Sequence, residues 1–336
     1  MLGISVVVST YSEKKLESVT ECLDSLIRQT FQPAEIILAL DKNEALIEFY
    51  KARMPLGVKL VVSDGFGLSR ARNAGVKNAC GDVIAFIDDD AVADKRWLEN
   101  LVNSYDDPRV SGVGGLIWPR WEGKQPSWFP EELYWVVGCS YKGLPEKKST
   151  VRNLIGCNMS FRKSVFEKVG YFHEGMGRVG SKLTGHEDTE FAIRLSRTVP
   201  DCAVIYDPDA IVYHRVPQSR ANIKYLARRS FAEGYSKAIF SNKEVAPSGT
   251  MKVEKSYLKQ LFSKSIPQRL IRAHRLENIS QAVTLLFSTW LVSIGYFSGC
   301  KLASTYVPVT KSADHPRSHD HSHNRSNHEN RREHSG

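Results

Sequence analysis

The chain has 336 residues, 42% of them hydrophobic, and a formal charge of +9, so it can bury a sizeable core and is not a disordered protein. The positive balance is local: residues 220–275 hold thirteen Lys/Arg against three Glu, enough to account for all of it, and such a segment suits nucleic acid, anionic lipid or a phosphorylated substrate. Six scattered cysteines with no Cys-x-x-Cys pair fit a reduced compartment and argue against zinc, while the opening apolar run is too short, and lacks the basic flank, for a signal peptide, which keeps the catalytic part in the cytoplasm.

Residues 4–10 form a near-continuous apolar run that ends in Thr10-Tyr11-Ser12-Glu13, the pattern of a central parallel strand. Leu16, Val19, Cys22, Leu23, Leu26 and Ile27 then share one face of a helix that stops near Thr30, before Pro33. A second strand over 35–40 is capped by Asp41, and a helix over 44–53 and a strand over 58–62 continue a doubly wound α/β sheet. Asp41 falls at a strand's carboxyl end, where an acidic residue can accept hydrogen bonds from a base or a ribose.

The loop Asp64-Gly65-Phe66-Gly67 leads into a helix carrying Arg70, Arg72 and Asn73, which by itself reads equally as an amphipathic helix with a solvated basic face. The run from Asp82 to Ile87 is β-branched and aromatic enough for a buried strand, and it ends in Asp88-Asp89-Asp90. Asp88 and Asp90, two apart, offer hard oxygen ligands to one divalent cation that would hold a nucleotide's diphosphate. The plainer alternative is an Asp cap in a surface turn before a helix around 97–105.

The order of these elements resembles the family 2 glycosyltransferases, whose nucleotide-sugar-binding GT-A fold surrounds the donor with the end of the first strand, an acidic residue after the second, an Arg-Asn pair on a later helix and an Asp-x-Asp motif. The resemblance implies a nucleotide site at Thr10, Tyr11, Glu13, Asp41, Arg72, Asn73 and Asp89, and Mg²⁺ or Mn²⁺ at Asp88 and Asp90.

Between Trp118 and Trp135, four Trp and three Pro with little periodicity suggest an irregular aromatic excursion. Asn153-Leu-Ile-Gly-Cys-Asn-Met-Ser-Phe-Arg162 resembles the family's strand beside the acceptor, with Asn158 in the matching place. Gly175-Met-Gly-Arg-Val-Gly180, including Arg178, is loop-like enough to order over a substrate. Glu187-Asp188 opens an amphipathic helix, where acidic residues are favoured anyway by the helix dipole. In resembling enzymes the Asp of such a pair takes the acceptor's proton, which makes Asp188 the candidate base and Glu187 its neighbour at the acceptor. Residues 203–214 resemble the family's closing strand, and its terminal His214 is the candidate third metal ligand.

A helix over 222–240 carries Arg228, Arg229 and Lys237, similar to a pattern found in members that use lipid-linked acceptors. Pro247-Ser-Gly249 reads as a linker, so residues 1–245 form the expected catalytic domain and 250–302 its membrane-associating helices. Residues 258–274 are basic and amphipathic, and 282–300 carry no charge: nineteen residues, just enough to span a bilayer, although seven Ser, Thr and Gly suit a buried or in-plane helix as well. Gly295-x-x-x-Gly299 permits close helix packing. The tail 312–336, with six of the ten histidines, cannot bury a core.

The expectation is therefore an inverting transferase that moves a sugar from a nucleotide sugar, UDP-linked by resemblance, to a lipid-linked saccharide or polyprenyl phosphate. It would work at the cell membrane with its catalytic domain on the cytoplasmic side, and without nucleic acid. A non-enzymatic nucleotide- or RNA-binding module rests only on the basic segment, and a transferase for a soluble acceptor is the nearer alternative. A sugar nucleotidyltransferase would need a glycine-rich, Arg-containing loop where Ser9-Thr-Tyr-Ser-Glu13 stands, and a processive synthase a Gln-x-x-Arg-Trp motif.

Overall fold

A computed structural model of the chain describes residues 2–177, 185–242 and 252–305. Arg178, the 247–249 linker and the tail from 312 lie outside the described residues.

The first half alternates strand and helix: β1 (Ile4–Thr10), α1 (Leu16–Ile27), β2 (Glu35–Leu40), α2 (Glu44–Lys51), β3 (Val58–Val62), α3 (Leu68–Asn78) and β4 (Val83–Asp88). The second half adds β5 (Ala91–Ala93), α4 (Trp97–Val102), β6 (Val110–Trp121), β7 (Ser149–Thr150), β8 (Asn158–Arg162), α5 (Lys163–Val169), α6 (Glu187–Thr198) and β9 (Ala203–Val216). Strand order in the sheet is β3-β2-β1-β4-β8-β6-β9-β5, with β7 paired to β9. The four strands β1 to β4 run parallel, β8 runs antiparallel to β4, and β6 and β9 are parallel to each other. This is the mixed sheet of a GT-A fold.

Side-chain alternation along the strands makes three layers. Val6 and Val8 of β1 face one core with Val19, Leu23 and Leu26 of α1, whereas Val7 faces the other with Ala71 and Val76 of α3 and Phe191 of α6. Each fully buried aliphatic side chain contributes roughly 1.5–3 kcal/mol, so α1 is held by its packed face rather than by propensity. The chain builds outward from β1 to β2 and β3, then returns to place β4 on the other side of β1. That reversal opens a crevice at the strands' carboxyl ends, and Thr10, Asp41 and Asp88 stand at it.

One expectation is corrected. Trp118 and Trp121 do not sit in an irregular excursion: β6 runs through them, in register with Tyr213 and Val216 of β9. Buried Ile117 and Pro119 alternate with exposed Trp118 and Arg120, a period of two that a proline and four tryptophans concealed. The basic stretch 258–274 runs through several short elements: α8 (Lys252–Gln260), a π-turn at Leu261–Ser265 and α9 (Ile266–Ile271), whose first turn carries Pro267.

Helix α10 (Leu276–Thr305) lies along α7 (Ile223–Asn242). A Cβ on Gly234 would meet Val292 O at 1.9 Å and one on Gly295 would meet Phe231 O at 2.1 Å, so the two backbones touch where only glycine fits. A buried Ser230–Ser288 hydrogen bond of 2.8 Å fixes the same contact. Arg269 of α9 forks onto both oxygens of the fully buried Glu132 at 2.9 and 2.7 Å, tying the helical segment to the sheet domain.

Candidate active site

The three carboxylates at the end of β4 have three different surroundings. Asp88 is one-third exposed, at 33%, and its Oδ1 accepts from Arg72 at 3.2 Å. Asp89 is buried and accepts from Thr10 Oγ1 at 2.6 Å and from Lys15 Nζ at 2.9 Å. Asp90 accepts from Lys15 Nζ at 2.8 Å and meets His214 Nε2 at 3.3 Å. His214 reaches it because β5 pairs antiparallel with β9, with Ala91 opposite His214.

Burial raises the pKa of Asp89, with Lys15 pulling the other way. Burial would raise Asp90 too, but His214 and Lys15 outweigh it and hold that carboxyl well below the usual range. One ammonium thus serves two carboxylates and is itself held firmly protonated by them against its own burial.

Ligand atoms of Asp88, Cys157 and His214 lie within 4.8 Å of one another. Complete burial pushes the Cys157 thiol well above its usual pKa, which leaves it protonated and a poor partner for a hard cation. The remaining donors, carboxylate and imidazole with Asp90 against His214, fit Mn²⁺ or Mg²⁺.

Arg72 is the hub of the second half of the site. Its buried guanidinium donates to Glu187 Oε1 at 3.0 Å, to Asp88 and to Gly156 O at 3.0 Å. The start of α6 is thereby fixed against the end of β4. Asp188, the next residue, takes Gly156 N–H on one oxygen at 3.1 Å and Thr189 N–H on the other at 2.6 Å, and stays partly exposed on the cavity. His186, before the helix, has φ of 76°, and among the described residues no other non-glycine residue has positive φ. Such backbone tends to be kept where the surroundings over-determine it.

These groups line one cavity of about 890 Å³ that runs from Thr10, Tyr11 and the acidic triplet to α8 and α10. Tyr11 is 60% exposed at its wall. Asp41 accepts Gly67 N–H at 3.1 Å, and burial raises its pKa. Further along, Glu233 of α7 holds Arg229 at 3.1 Å, Lys237 at 3.3 Å and His186 at 3.7 Å.

Thr10, Tyr11, Asp41, Arg72, Asp88, Asp89, Asp90, Glu187, Asp188, Arg229 and Lys237 all line the cavity, and His214 stands behind it on Asp90. Besides His214, four expected residues do not line it. Both ends of the Asn73 amide are spent on the backbone of Phe172, at 2.9 and 3.0 Å. Asn158 is buried, donating to Leu116 O and Ala210 O and accepting from Trp97 Nε1, so it braces the sheet instead of meeting an acceptor. Glu13 belongs to a short 3₁₀ turn outside the cavity, and Arg228 projects from the exposed side of α7. Glu187 faces the cavity wall, yet its carboxylate is turned onto Arg72.

Lys15, Arg152, Glu233 and Glu254 were missed. Glu233 was legible as a lone carboxylate four residues from Arg229 and four from Lys237. Nothing separates Lys15 from Lys14 by pattern, and Arg152 and Glu254 meet only through the fold.

Residues 5–170 match the family described as glycosyl transferase family 2. A glucosyl-dolichyl phosphate glucuronosyltransferase of Haloferax volcanii is 35% identical over 307 residues, 89% of this chain and 96% of that one. The succinoglycan biosynthesis protein ExoM of Rhizobium meliloti is 27% identical over 242 residues, 69% of this chain and 73% of its own. Among solved structures, GalNAc-T7 with UDP, GalNAc and Mn²⁺ superposes with a TM-score of 0.49 at 18% identity, over 77% of this chain and 54% of that one, too distant for its bound groups to be carried over.

Proposed function

The chain belongs to glycosyltransferase family 2, and on that premise we propose that it moves a sugar from a nucleoside diphosphate, UDP by preference, to a hydroxyl of a lipid-linked saccharide with inversion. The observation that carries this reading is the single cavity joining the acidic triplet, Asp188 and the apolar helices. The printed name of the Haloferax relative supports a dolichyl-phosphate-linked acceptor.

Tyr11 and Asp41 would hold the base and ribose. Asp88, Asp90 and His214 would hold Mn²⁺ or Mg²⁺, which when bound offsets negative charge on the departing diphosphate. Arg72 orients Asp88 and the first turn of α6. Asp188 takes the proton from the acceptor hydroxyl as its oxygen bonds to the anomeric carbon, and the carbon–oxygen bond to the diphosphate breaks with its electron pair leaving on the nucleotide. No second carboxylate is needed as a nucleophile. Arg229 and Lys237 are the expected phosphate contacts of the acceptor.

Among the described residues one helix, 276–301, is long and apolar enough to cross a membrane, with mean hydropathy 1.4. Its exposed Leu276, Ile279, Val283, Leu286, Trp290 and Phe297 recur at spacings of three, four and seven, a single stripe, while Ala282, Leu285 and Ser288 are buried on the other side. That two-sidedness supports a helix lying in the membrane plane, with exposed Lys264, Arg272 and Arg275 near lipid headgroups and the catalytic domain on the cytoplasmic side with its donor. A nucleic-acid-binding role is less well supported, because Arg229, Lys237 and Arg269 of the basic segment are engaged by Glu233, Glu254 and Glu132.

The test incubates the full-length protein with a panel of nucleotide sugars and either glucosyl-dolichyl phosphate or free glucosides, with products read by mass spectrometry. Transfer confined to the lipid acceptor is expected. Equal transfer to the soluble glucosides would overturn the lipid-linked reading.

A further inference from the structure

Six Lys and Arg residues line the active-site cavity, and five of them are committed to carboxylates. Lys15 is held by Asp89 and Asp90, Arg72 by Asp88 and Glu187, Arg152 by Glu254, Arg229 by Glu233, and Lys237 by Glu233 and Glu254. Arg220 is the sixth. It has no ion pair among the described residues, and its Nη1 is buried with no hydrogen-bond partner.

The chain leaves β9 through Pro217 and makes a short 3₁₀ turn, Gln218–Arg220, before Asn222 caps α7 by accepting Tyr225 N–H at 2.9 Å. Arg220 thus joins the strand that carries His214 to the helix that carries Arg229 and Lys237. Its charge is felt at the metal end: burial pushes the Cys139 thiol up, Arg220 pulls it down and Asp90 pushes it up again. The sulfur of Cys139 lies 3.8 Å from His214 Nδ1, so the guanidinium, His214 and Asp90 are gathered about one buried side chain.

A buried guanidinium donor with nothing to accept it costs stability in the empty protein, and such groups are few in folded chains. Three buried side-chain polar atoms lack a partner among the described residues: Ser9 Oγ, Trp121 Nε1 and Arg220 Nη1. Ser9 and Arg220 both line this cavity, and Ser9 pairs in register with Asp88 across β1 and β4. The unmet hydrogen bonds of the cavity therefore collect around the acidic end of β4. What Arg220 lacks is an anionic acceptor, and its paired N–H donors match the non-bridging oxygens of a phosphate.

Resting on the nucleotide-sugar reading above, we propose that Arg220 is a donor-binding residue, whose guanidinium takes non-bridging oxygens of the donor's diphosphate beside Asp88, Asp90 and His214 and keeps them as the diphosphate departs. Negative charge on those oxygens grows as the carbon–oxygen bond breaks, so the contact strengthens toward the transition state. Because no carboxylate holds Arg220, no ion pair has to break before it binds. Arg229 and Lys237, on the acceptor side, are already held by Glu233.

The test measures equilibrium binding of UDP and of uridine to the full chain, with Mn²⁺ and without acceptor. Where another nucleoside diphosphate binds the wild type more tightly, it and its nucleoside take their place. Arg220→Met keeps the aliphatic stem and removes the guanidinium. It is expected to bind UDP about tenfold more weakly or worse, to bind uridine within about twofold of the wild type, and to melt no lower when free of ligand, since an unmet donor is gone. Arg220→Lys keeps the charge without the paired donors and should lose UDP affinity severalfold, with uridine again unaffected; this variant decides the matter if Arg220→Met does not fold. Wild-type UDP affinity in either variant, an equal loss for uridine, or a ligand-free melting temperature several degrees lower in Arg220→Met would overturn the assignment. Unchanged UDP binding with weakened binding of farnesyl phosphate would do so too, by giving the guanidinium to the acceptor. A wild type that prefers no nucleoside diphosphate to its nucleoside would remove the donor reading itself, whereas a preference intact in both wild type and variants removes only the role of Arg220.

Discussion

Arg72 Nη1 donates to Glu187 Oε1 at 3.0 Å, a contact between residues 115 apart in sequence that pins the first turn of α6 to the end of β4. Both side chains are buried, at 3% and 9% exposure. Burial and the adjacent Asp188 raise the pKa of Glu187, and Arg72 opposes them. Arg72→Met leaves this carboxylate buried without its cation, which typically costs about 3–5 kcal/mol. Urea denaturation should show that loss, and Arg72→Met/Glu187→Gln should recover much of it. A double variant no more stable than the single would mean that Glu187 is not what Arg72 holds.

Metal removal addresses the triplet. Chelation should suppress turnover, with Mn²⁺ or Mg²⁺ restoring it, and Asp90→Asn should nearly abolish turnover and nucleotide-dependent metal binding. Full activity in excess chelator would refute the metal assignment.

Asp188→Asn removes the carboxylate proposed as the base. A positioned general base contributes roughly 10²–10⁴-fold, so kcat should fall within that range while donor affinity changes little. Anomeric coupling in the NMR spectrum of the wild-type product should show inversion; a retained configuration would exclude a one-step displacement.

The apolar stripe of α10 predicts how the protein meets lipid. Leu286→Asp/Trp290→Asp changes two exposed side chains, at 46% and 58%, so folding should be spared. Flotation with anionic vesicles should drop severalfold, and Arg272→Gln/Arg275→Gln should give a smaller loss that high salt reproduces in the wild type. Unchanged flotation in the Asp variant would argue against docking through this face.

Acid stability should carry the signature of Glu233. Burial would raise its pKa, but His186, Lys237 and Arg229 outweigh that and bring it down from 4.5 to about 2. A carboxyl depressed on folding stabilises above its unfolded pKa and loses that contribution as pH falls through the folded value, here between about 4.5 and 2, on the order of 2–3 kcal/mol. Glu233→Gln should lower stability at neutral pH and flatten the melting temperature's decline over that window. A decline of unchanged steepness would assign the acid sensitivity to other carboxylates.

The sequence by itself determined the strands and helices of the first half, because parallel strands buried on both faces read as unbroken apolar runs and the helices between them keep a 3.6 period. It also determined which strand ends carry Thr10, Asp41 and Asp88, and hence the family. Local pattern failed where a residue's use depends on a partner far along the chain. Asn73 and Asn158 stand out as site residues only by resemblance to the family's motifs, and their hydrogen-bonding groups are consumed by Phe172, Trp97, Leu116 and Ala210. Gly295-x-x-x-Gly299 suggested helix packing without a partner, and only the fold shows that Gly295 meets Phe231 of α7. The same holds for charge: the cations of 220–275 read as one basic segment, whereas the tertiary structure pairs Arg229, Lys237 and Arg269 with Glu233, Glu254 and Glu132 and leaves Lys264, Arg272 and Arg275 exposed. Low-dielectric burial enforces that sorting, since a charge taken out of water must find its opposite wherever the chain has brought it.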